Sequence, residues 1–242
     1  MEDTLVEEDI HPVYISAGIS DVGRLRPSNQ DAFVELNDAG VWVVADGMGG
    51  YRDGDVASRM VCDGMEGVSA DGTLEQAIEV LRQRVLEVNR RLYEASVRRI
   101  NPIVSGSTVA MLLVRRTSCA VIWAGDSRVY RWRGNKLTQL TTDHTWAAEL
   151  NLQHAEEEAD HAITRAVGGE STLALDVRRD KVLLNDRYLL CSDGLSRELS
   201  EAQIAAAMAG PDVESCAKKL IESTLKAGAR DNVTVVVIEA TS

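Results

Sequence analysis

The chain has 242 residues, of which 38 are acidic and 26 are basic, so its formal net charge is −12 at pH 7. This charge argues against a nucleic-acid-binding or anionic-membrane-binding protein, because basic patches supply most of the attraction to such partners. The first ten residues, MEDTLVEEDI, are acidic where a signal peptide needs a positive start, and no apolar stretch approaches the roughly 20 residues of a membrane-spanning helix. The sequence therefore predicts a soluble, cytoplasmic protein whose partners are proteins or small molecules.

Short runs of β-branched, aromatic and aliphatic residues predict the strands. In chain order these runs begin at residues 13, 31, 41, 107, 119, 129, 182, 188 and 233. Two connections are typical of hairpins, the segment RRTS at 115–118 and the Gly134-Asn135 pair. The hairpins indicate antiparallel pairing.

Three segments have helical spacing of their apolar residues. The first begins at Leu74, after a capping box made by Thr73 and Gln76, and the second begins near Ser200, with Gln203 completing its box. The third covers residues 212–228. Hairpins with long helices grouped between them favour an antiparallel α+β sandwich over a doubly wound sheet.

Domain organisation is simple, because the chain contains no linker-like or low-complexity tract and no repeat. We expect a loose acidic arm at residues 1–12 and one domain at 13–242. The four cysteines are scattered without a C-x-x-C pair, which predicts reduced thiols rather than a zinc or disulfide framework.

Four aspartates lie at the ends of predicted strands: Asp46, Asp126, Asp193 and Asp231. If these strand ends gather at one edge of a sandwich, they form the all-oxygen site that Mg²⁺ and Mn²⁺ prefer. Gly47 and Gly194 would let the backbone and an ion approach closely. The alternative is that each Asp-Gly pair merely turns the chain. Neither pair joins two strands as a hairpin turn should, which weakens that alternative.

The chain resembles the metal-dependent serine/threonine protein phosphatases of type two C, the PPM family. The resemblance rests on motifs that occur in the family's order over residues about 16 to 240: SDVGRLRPSNQDAF at 20, VVADGMGG at 43, GDVAS at 54, SGST at 105, WAGDSRVY at 123, LTTDHT at 140, ITRAVGG at 163, YLLCSDGLS at 188 and ARDNVTVVV at 229. Each motif is weak alone, but the ordered set is specific. It implies a four-layer αββα sandwich of two antiparallel sheets flanked by helices.

The resemblance also implies a set of site residues. A pair of Mg²⁺ or Mn²⁺ ions would be held by Asp46, the Gly47 carbonyl, Asp193 and Asp231, with Asp31 just behind them. Asp126 resembles the residue that bacterial members use, together with Asp193, for a third and looser ion. Arg26 matches the family's phosphate-binding arginine, whose planar fork grips two phosphate oxygens.

The expected reaction is hydrolysis of phosphoserine and phosphothreonine on proteins. A water that bridges two metal ions is acidic enough to be hydroxide at neutral pH, and the same ions orient the phosphoryl group for in-line attack. The expected partners are phosphorylated proteins and a serine/threonine kinase that the enzyme opposes, with the enzyme a monomer. A secretion-system switch and a general kinase antagonist stay open as its setting.

Two departures from the family pattern stand out. Met48 occupies the position where several relatives carry a histidine that protonates the leaving oxygen, so the proton donor is unassigned. The flap-like segment, about residues 141–166, is shortened. Within it His144 is a weak candidate for the donor, and a turn-capping role suits it better. His154 and His161 lie in a charged stretch that is typical of a solvated helix face.

Two other functions were weighed. The segment CSDGLSR at 191–197 satisfies the C-x-x-x-x-x-R pattern of cysteine-dependent phosphatases, with Cys191 as nucleophile and Arg197 as phosphate ligand. Asp193 would place a carboxylate inside that phosphate cradle, which disfavours it. The second alternative is a pseudophosphatase that binds phosphoproteins or a kinase without turnover, which the loss of histidine at position 48 keeps open.

Overall fold

The computed structural model describes residues 12–48, 53–98, 105–150 and 162–242. The predicted arm, apart from residue 12, lies outside these ranges, as do His154 and His161. Within the described ranges, no helix combines the length and the apolar character that crossing a bilayer requires.

Two antiparallel sheets form the centre of the domain. The first has the strand order β1 (Val13–Asp21), β11 (Val233–Thr241), β10 (Arg187–Cys191), β7 (Arg128–Arg133) and β8 (Lys136–Gln139). The second has the order β2 (Asp31–Leu36), β3 (Val41–Met48), β5 (Val109–Arg115), β6 (Ser118–Ala124) and β9 (Asp176–Lys181), and β4 (Gly106–Ser107) pairs with β3.

Helices cover the outer face of each sheet. The second sheet packs against α1 (Gly54–Asp63) and α2 (Leu74–Val97), and the first packs against α5 (Glu201–Met208) and α6 (Val213–Ala227). The remaining helices are short: α3 (Trp146–Glu149), α4 (Asp193–Ser196) and a 3₁₀ turn (Asn37–Ala39). The predicted αββα sandwich is confirmed.

Three apolar layers hold the sandwich together, one between the sheets and one under each helical layer. Strand β3 shows how one sequence supplies two of them: Val41, Val43 and Ala45 face the helices, whereas Trp42 and Val44 face the other sheet. Side chains alternate across a strand, so a strand buried on both faces has a continuous apolar run. That is why the segment VWVVA shows no polar alternation.

Most local predictions are confirmed. Both capping boxes are present, at Thr73 with Gln76 and at Ser200 with Gln203. Gly134 and Asn135 both have positive φ, 54° and 61°, as a two-residue turn between β7 and β8 requires.

One predicted strand is wrong. The run VLL at 182–184 is not a strand; the strand there is β9, Asp176–Lys181, with the sequence DVRRDK. Strand β9 lies at a sheet edge, where charged side chains stay in water, so it has no apolar run to mark it. Helix α1 was not predicted.

Candidate metal centre

The predicted acidic residues gather where the ends of both sheets meet. Asp46 in β3 lies directly opposite Asp31 in β2. Asp193 begins α4 immediately after β10, and Asp231 lies just before the neighbouring strand β11. Asp126 follows β6. Five chain segments, drawn from both sheets, therefore each contribute one carboxylate to the same edge.

The electrostatics of this edge show how close the carboxylates are. Loss of water contact, and after it the charges of the four other aspartates, raise the pKa of Asp46 well above its ordinary value. Burial is also the first cause that raises the pKa of Asp31 and of Asp126 to about 7, and it raises the pKa of Asp193. Clustered carboxylates resist ionising together unless a cation balances them.

Three carboxylate oxygens at this edge are buried without a hydrogen-bond partner among the described residues: Asp31 Oδ1, Asp126 Oδ1 and Asp193 Oδ1. Buried polar atoms in proteins are nearly always paired, so three such oxygens in one place need an explanation. An all-oxygen, strongly anionic donor set has the chemistry that a hard divalent cation requires. The residues therefore fit Mg²⁺ or Mn²⁺ in kind and in charge.

Two arginines are the cations that face these carboxylates. Arg26 Nε and Nη2 donate to the two oxygens of Asp231, each at 2.7 Å. Arg197 Nη2 lies 2.7 Å from Asp193 Oδ2 and 3.5 Å from Asp126 Oδ2. In this arrangement no three acidic, histidine or cysteine side chains of the described segments converge on one point closely enough to hold an ion. The carboxylates of Asp126, Asp193 and Asp231 contact the guanidinium groups instead.

Backbone packing requires glycine at positions 47 and 194. A Cβ on Gly47 would lie 2.0 Å from the carbonyl oxygen of Gly54, and a Cβ on Gly194 would lie 1.9 Å from the carbonyl oxygen of Asn232. Backbone therefore packs directly on backbone at both places, which only glycine permits.

The loop that carries Arg26 is fastened by Asn232, a residue to which the sequence analysis gave no role. Its side chain accepts a hydrogen bond from the backbone N–H of Gln30 and donates to the carbonyl oxygens of Val22 and Ser28. Because Asn232 directly follows Asp231, the arginine loop and this carboxylate are held together. The sequence signal that could have identified Asn232 was its position directly after Asp231 in the motif ARDNVTVVV.

A second missed residue is Ser192, which orients Asp31. Its hydroxyl donates to Asp31 Oδ2 at 2.7 Å, and it also accepts from the backbone N–H of Thr234 at 3.0 Å. Asp31 Oδ1 is left without a hydrogen-bond partner among the described residues. Thr108 holds the backbone at Asp46, whose N–H donates to the Thr108 hydroxyl at 2.9 Å.

An open cleft of about 630 Å³ lies over this edge. Three of the five aspartates, Asp126, Asp193 and Asp231, line it together with four arginines: Arg26, Arg128, Arg197 and Arg230. Arg128 is paired with Asp143 in the cleft wall, at 2.7 Å, and Arg230 with Glu198, at 2.8 Å. A cleft of this kind suits an anionic group that must approach bound cations.

His144 has a structural position beside the cleft. Its Nδ1 accepts a hydrogen bond from the backbone N–H of Gly125 at 3.1 Å, and its own backbone N–H donates to the Gly125 carbonyl at 2.9 Å. The proton is therefore on Nε2, which lies 3.2 Å from Asp176 Oδ2. His144 secures the turn that presents Asp126.

Cys191 does not take part in the cleft. It is fully buried in β10, and burial raises the pKa of its thiol to about 12. A thiol with that pKa stays protonated at neutral pH and is a poor nucleophile. Arg197, the other half of the cysteine-phosphatase pattern, contacts carboxylates. The cysteine-dependent alternative is therefore not supported.

Comparison with known proteins finds relatives of this chain among serine/threonine phosphatases. The sequence profile of the protein phosphatase 2C family matches residues 26–229. The serine/threonine phosphatase stp of Listeria welshimeri is 32% identical over 238 residues, covering 91% of this chain and 93% of its own. The serine/threonine protein phosphatase PstP of Mycobacterium tuberculosis is 32% identical over 233 residues, which are 92% of this chain and 44% of PstP.

Solved structures are similar over nearly the whole domain. PppA, described as a key regulatory component of T6SS in Pseudomonas aeruginosa, has a TM-score of 0.89 and 36% identity, covering 95% of this chain and 99% of its own. The catalytic domain of PstP in complex with two manganese ions has a TM-score of 0.85 and 31% identity, covering 96% of this chain and 100% of its own.

The fold and the carboxylate edge thus define a metal-dependent phosphoric ester hydrolase. The chain belongs to the protein phosphatase 2C family and is a Mg²⁺- or Mn²⁺-dependent serine/threonine protein phosphatase. No observation favours the pseudophosphatase alternative.

Proposed function

We propose that Asp46, the Gly47 carbonyl, Asp193 and Asp231 hold a pair of Mg²⁺ or Mn²⁺ ions, with Asp31 behind them. The observation that carries this proposal is the group of three buried carboxylate oxygens without partners at one edge of the sandwich. Asp126, together with Asp193, provides the place for a third and weaker ion. PstP, similar over this whole domain, was solved with two manganese ions.

The residues of the chain then divide the remaining work. When bound, the ions supply an activated water and neutralise charge on the phosphoryl group. Arg26, with about half of its side chain exposed at 54%, stands at the rim of the cleft and binds the phosphate oxygens. Its ion pair with Asp231 keeps the guanidinium beside the site before substrate arrives. Ser192 orients the Asp31 carboxylate, and Thr108 holds the backbone at Asp46.

The proposed substrates are proteins phosphorylated on serine or threonine by a kinase that this enzyme opposes. The relatives from Listeria and Mycobacterium bear names that specify serine/threonine phosphatases. The likeness to PppA supports a secretion-system setting, and a general kinase antagonist is the alternative setting. Comparing the phosphoproteome of a deletion strain with that of the same strain carrying the restored gene distinguishes these two settings.

We further propose that the enzyme acts as a cytoplasmic monomer. All four cysteines are buried and unpaired, as is usual for proteins of a reducing compartment. Light scattering after size-exclusion chromatography tests the monomer.

The decisive experiment measures turnover of p-nitrophenyl phosphate and of a phosphothreonine peptide. We expect activity with Mn²⁺ or Mg²⁺, loss of activity with EDTA and recovery on adding the metal back. Cys191→Ser should keep most of the activity, since its thiol is buried and protonated. Turnover that resists chelator but is lost on thiol alkylation would favour the cysteine mechanism. Tight Mn²⁺ binding without turnover would favour the pseudophosphatase.

A further inference from the structure

Arg197 occupies an unusual position between two carboxylates of the site. It immediately follows α4, one helical turn after Asp193, so its side chain folds back along that turn. The same nitrogen, Nη2, contacts Asp193 Oδ2 at 2.7 Å and Asp126 Oδ2 at 3.5 Å. One guanidinium thus lies against the carboxylate pair that was assigned above to the third, weaker ion.

The guanidinium of Arg197 neutralises only half of the negative charge of Asp126 and Asp193. Asp126 Oδ1 and Asp193 Oδ1 are buried and lack a partner within the described part of the chain. Two carboxylates and one guanidinium leave a net negative charge, which still attracts a cation. However, Arg197 lies against the Oδ2 atom of each carboxylate, so its positive charge opposes an incoming cation.

The side chain of Arg197 can also move away from the two carboxylates. Its side chain is 48% exposed, whereas those of Asp126 and Asp193 are 6% and 11% exposed. The guanidinium can therefore rotate into the open cleft at little cost, while the carboxylates stay in place. The buried carboxylates need a counterion, and an incoming divalent ion supplies that charge when the arginine is displaced into water.

From this geometry we infer that Arg197 is an internal competitor of the third cation, which sets how weakly the Asp126–Asp193 pair binds it. The inference rests on the proposed function, since it presupposes the ion pair at Asp46, Asp193 and Asp231. In the absence of a third ion Arg197 neutralises half of the charge of the two carboxylates. When a third ion binds, Arg197 is released into the cleft, where its charge is available to an anionic substrate.

Calorimetric titration of the full chain with Mn²⁺ tests the inference. Arg197→Met removes the charge and keeps much of the side-chain length, whereas Arg197→Lys keeps the charge. Arg230→Met is the matched control, because Arg230 also lines the cleft but pairs with Glu198. We expect the two tight sites to be similar in all variants. The weak third site should tighten on the order of tenfold in Arg197→Met, the equivalent of about 1.4 kcal/mol, and stay near wild type in Arg230→Met and Arg197→Lys.

Thermal unfolding gives an independent readout. In EDTA, Arg197→Met should melt below wild type, because Asp126 and Asp193 lose their counterion. In saturating Mn²⁺ the difference should vanish, because the ion replaces the guanidinium. A purely structural role would lower the melting temperature equally under both conditions and would overturn the inference.

The outcomes separate the inference from the proposed function. Two tight sites with a third site unchanged by Arg197→Met, or absent from both proteins, would refute the competition and leave the proposed function standing. Absence of tight Mn²⁺ binding in wild type would refute the proposed function, and the inference would fall with it.

Discussion

Replacing Arg26 by alanine gives the sharpest test of phosphate binding. Arg26 donates two hydrogen bonds of 2.7 Å to Asp231 and is about half exposed, so phosphate binding exchanges one bidentate anionic partner for another. A hydrogen bond to a charged group is worth about 1.5–3 kcal/mol, and the lost Asp231 contact offsets part of the gain from two such bonds. We therefore expect a net loss of about 1.4–2.8 kcal/mol, or roughly 10- to 100-fold in kcat/KM.

The assay is steady-state hydrolysis of p-nitrophenyl phosphate and of a phosphorylated protein at saturating Mn²⁺. The defect should be expressed mainly in KM, and it should be larger for the small substrate, because a protein substrate makes additional contacts. Arg26→Lys should recover only part of the loss, since lysine lacks the planar fork. Arg24→Ala is the control: its side chain donates to the Leu225 carbonyl instead of a carboxylate. An unchanged KM for p-nitrophenyl phosphate in Arg26→Ala would refute the assignment.

Three further predictions follow from the site. Asp193→Asn or Asp231→Asn should abolish hydrolysis while circular dichroism and cooperative unfolding persist, because each removes charge from the ion site and leaves the apolar layers intact; near-normal turnover with Mn²⁺ in either variant would disprove that ligand. Asp126→Ala should keep two tight Mn²⁺ ions but lose turnover, far more on phosphothreonine than on p-nitrophenyl phosphate, whose phenolate leaves without a proton; equal losses would exclude a part in proton donation. For His144, burial lowers the pKa in the folded protein below its ordinary value of about 6.5. The unfolded chain then binds more protons, so the contribution of His144 to stability is present above that pH and is lost as pH falls below it. The difference in urea-unfolding free energy between wild type and His144→Gln, measured from pH 8 to pH 5, should shrink with acidification, and a constant difference would contradict this.

The fold was predictable wherever a local signal coincides with burial. Strand β3 and helix α2 were found because a strand buried on both faces is continuously apolar and because the capping box of Thr73 and Gln76 marks a helix start. Helix α1 was missed because it begins at Gly54 without a side-chain cap. Strand β9 was missed because an edge strand with exposed arginines resembles a loop in sequence.

The site was predictable in its membership but not in its internal pairing. Their position at the ends of predicted strands identified Asp46, Asp126, Asp193 and Asp231, and the resemblance supplied Asp31 and Arg26. Which cation faces which carboxylate depends on tertiary placement. Arg197 lies one helical turn after Asp193, so their contact is local in sequence. Its contact with Asp126 joins segments that only the fold brings together.

The site combines an immobile backbone with exchangeable charges. At Gly194 a Cβ would lie 1.9 Å from the Asn232 carbonyl oxygen, so the backbone that carries Asp193 and the backbone that follows Asp231 are in direct contact. The side chain of Asn232 then binds the loop that carries Arg26. These contacts fix where the carboxylates stand and leave them no way to move apart and relieve their repulsion. Relief must come from cations, and the half-exposed Arg26 and Arg197 are cations that can move away. The same geometry that makes the carboxylate cluster unfavourable by itself therefore lets metal ions and substrate compete with arginines for charges that stay in place.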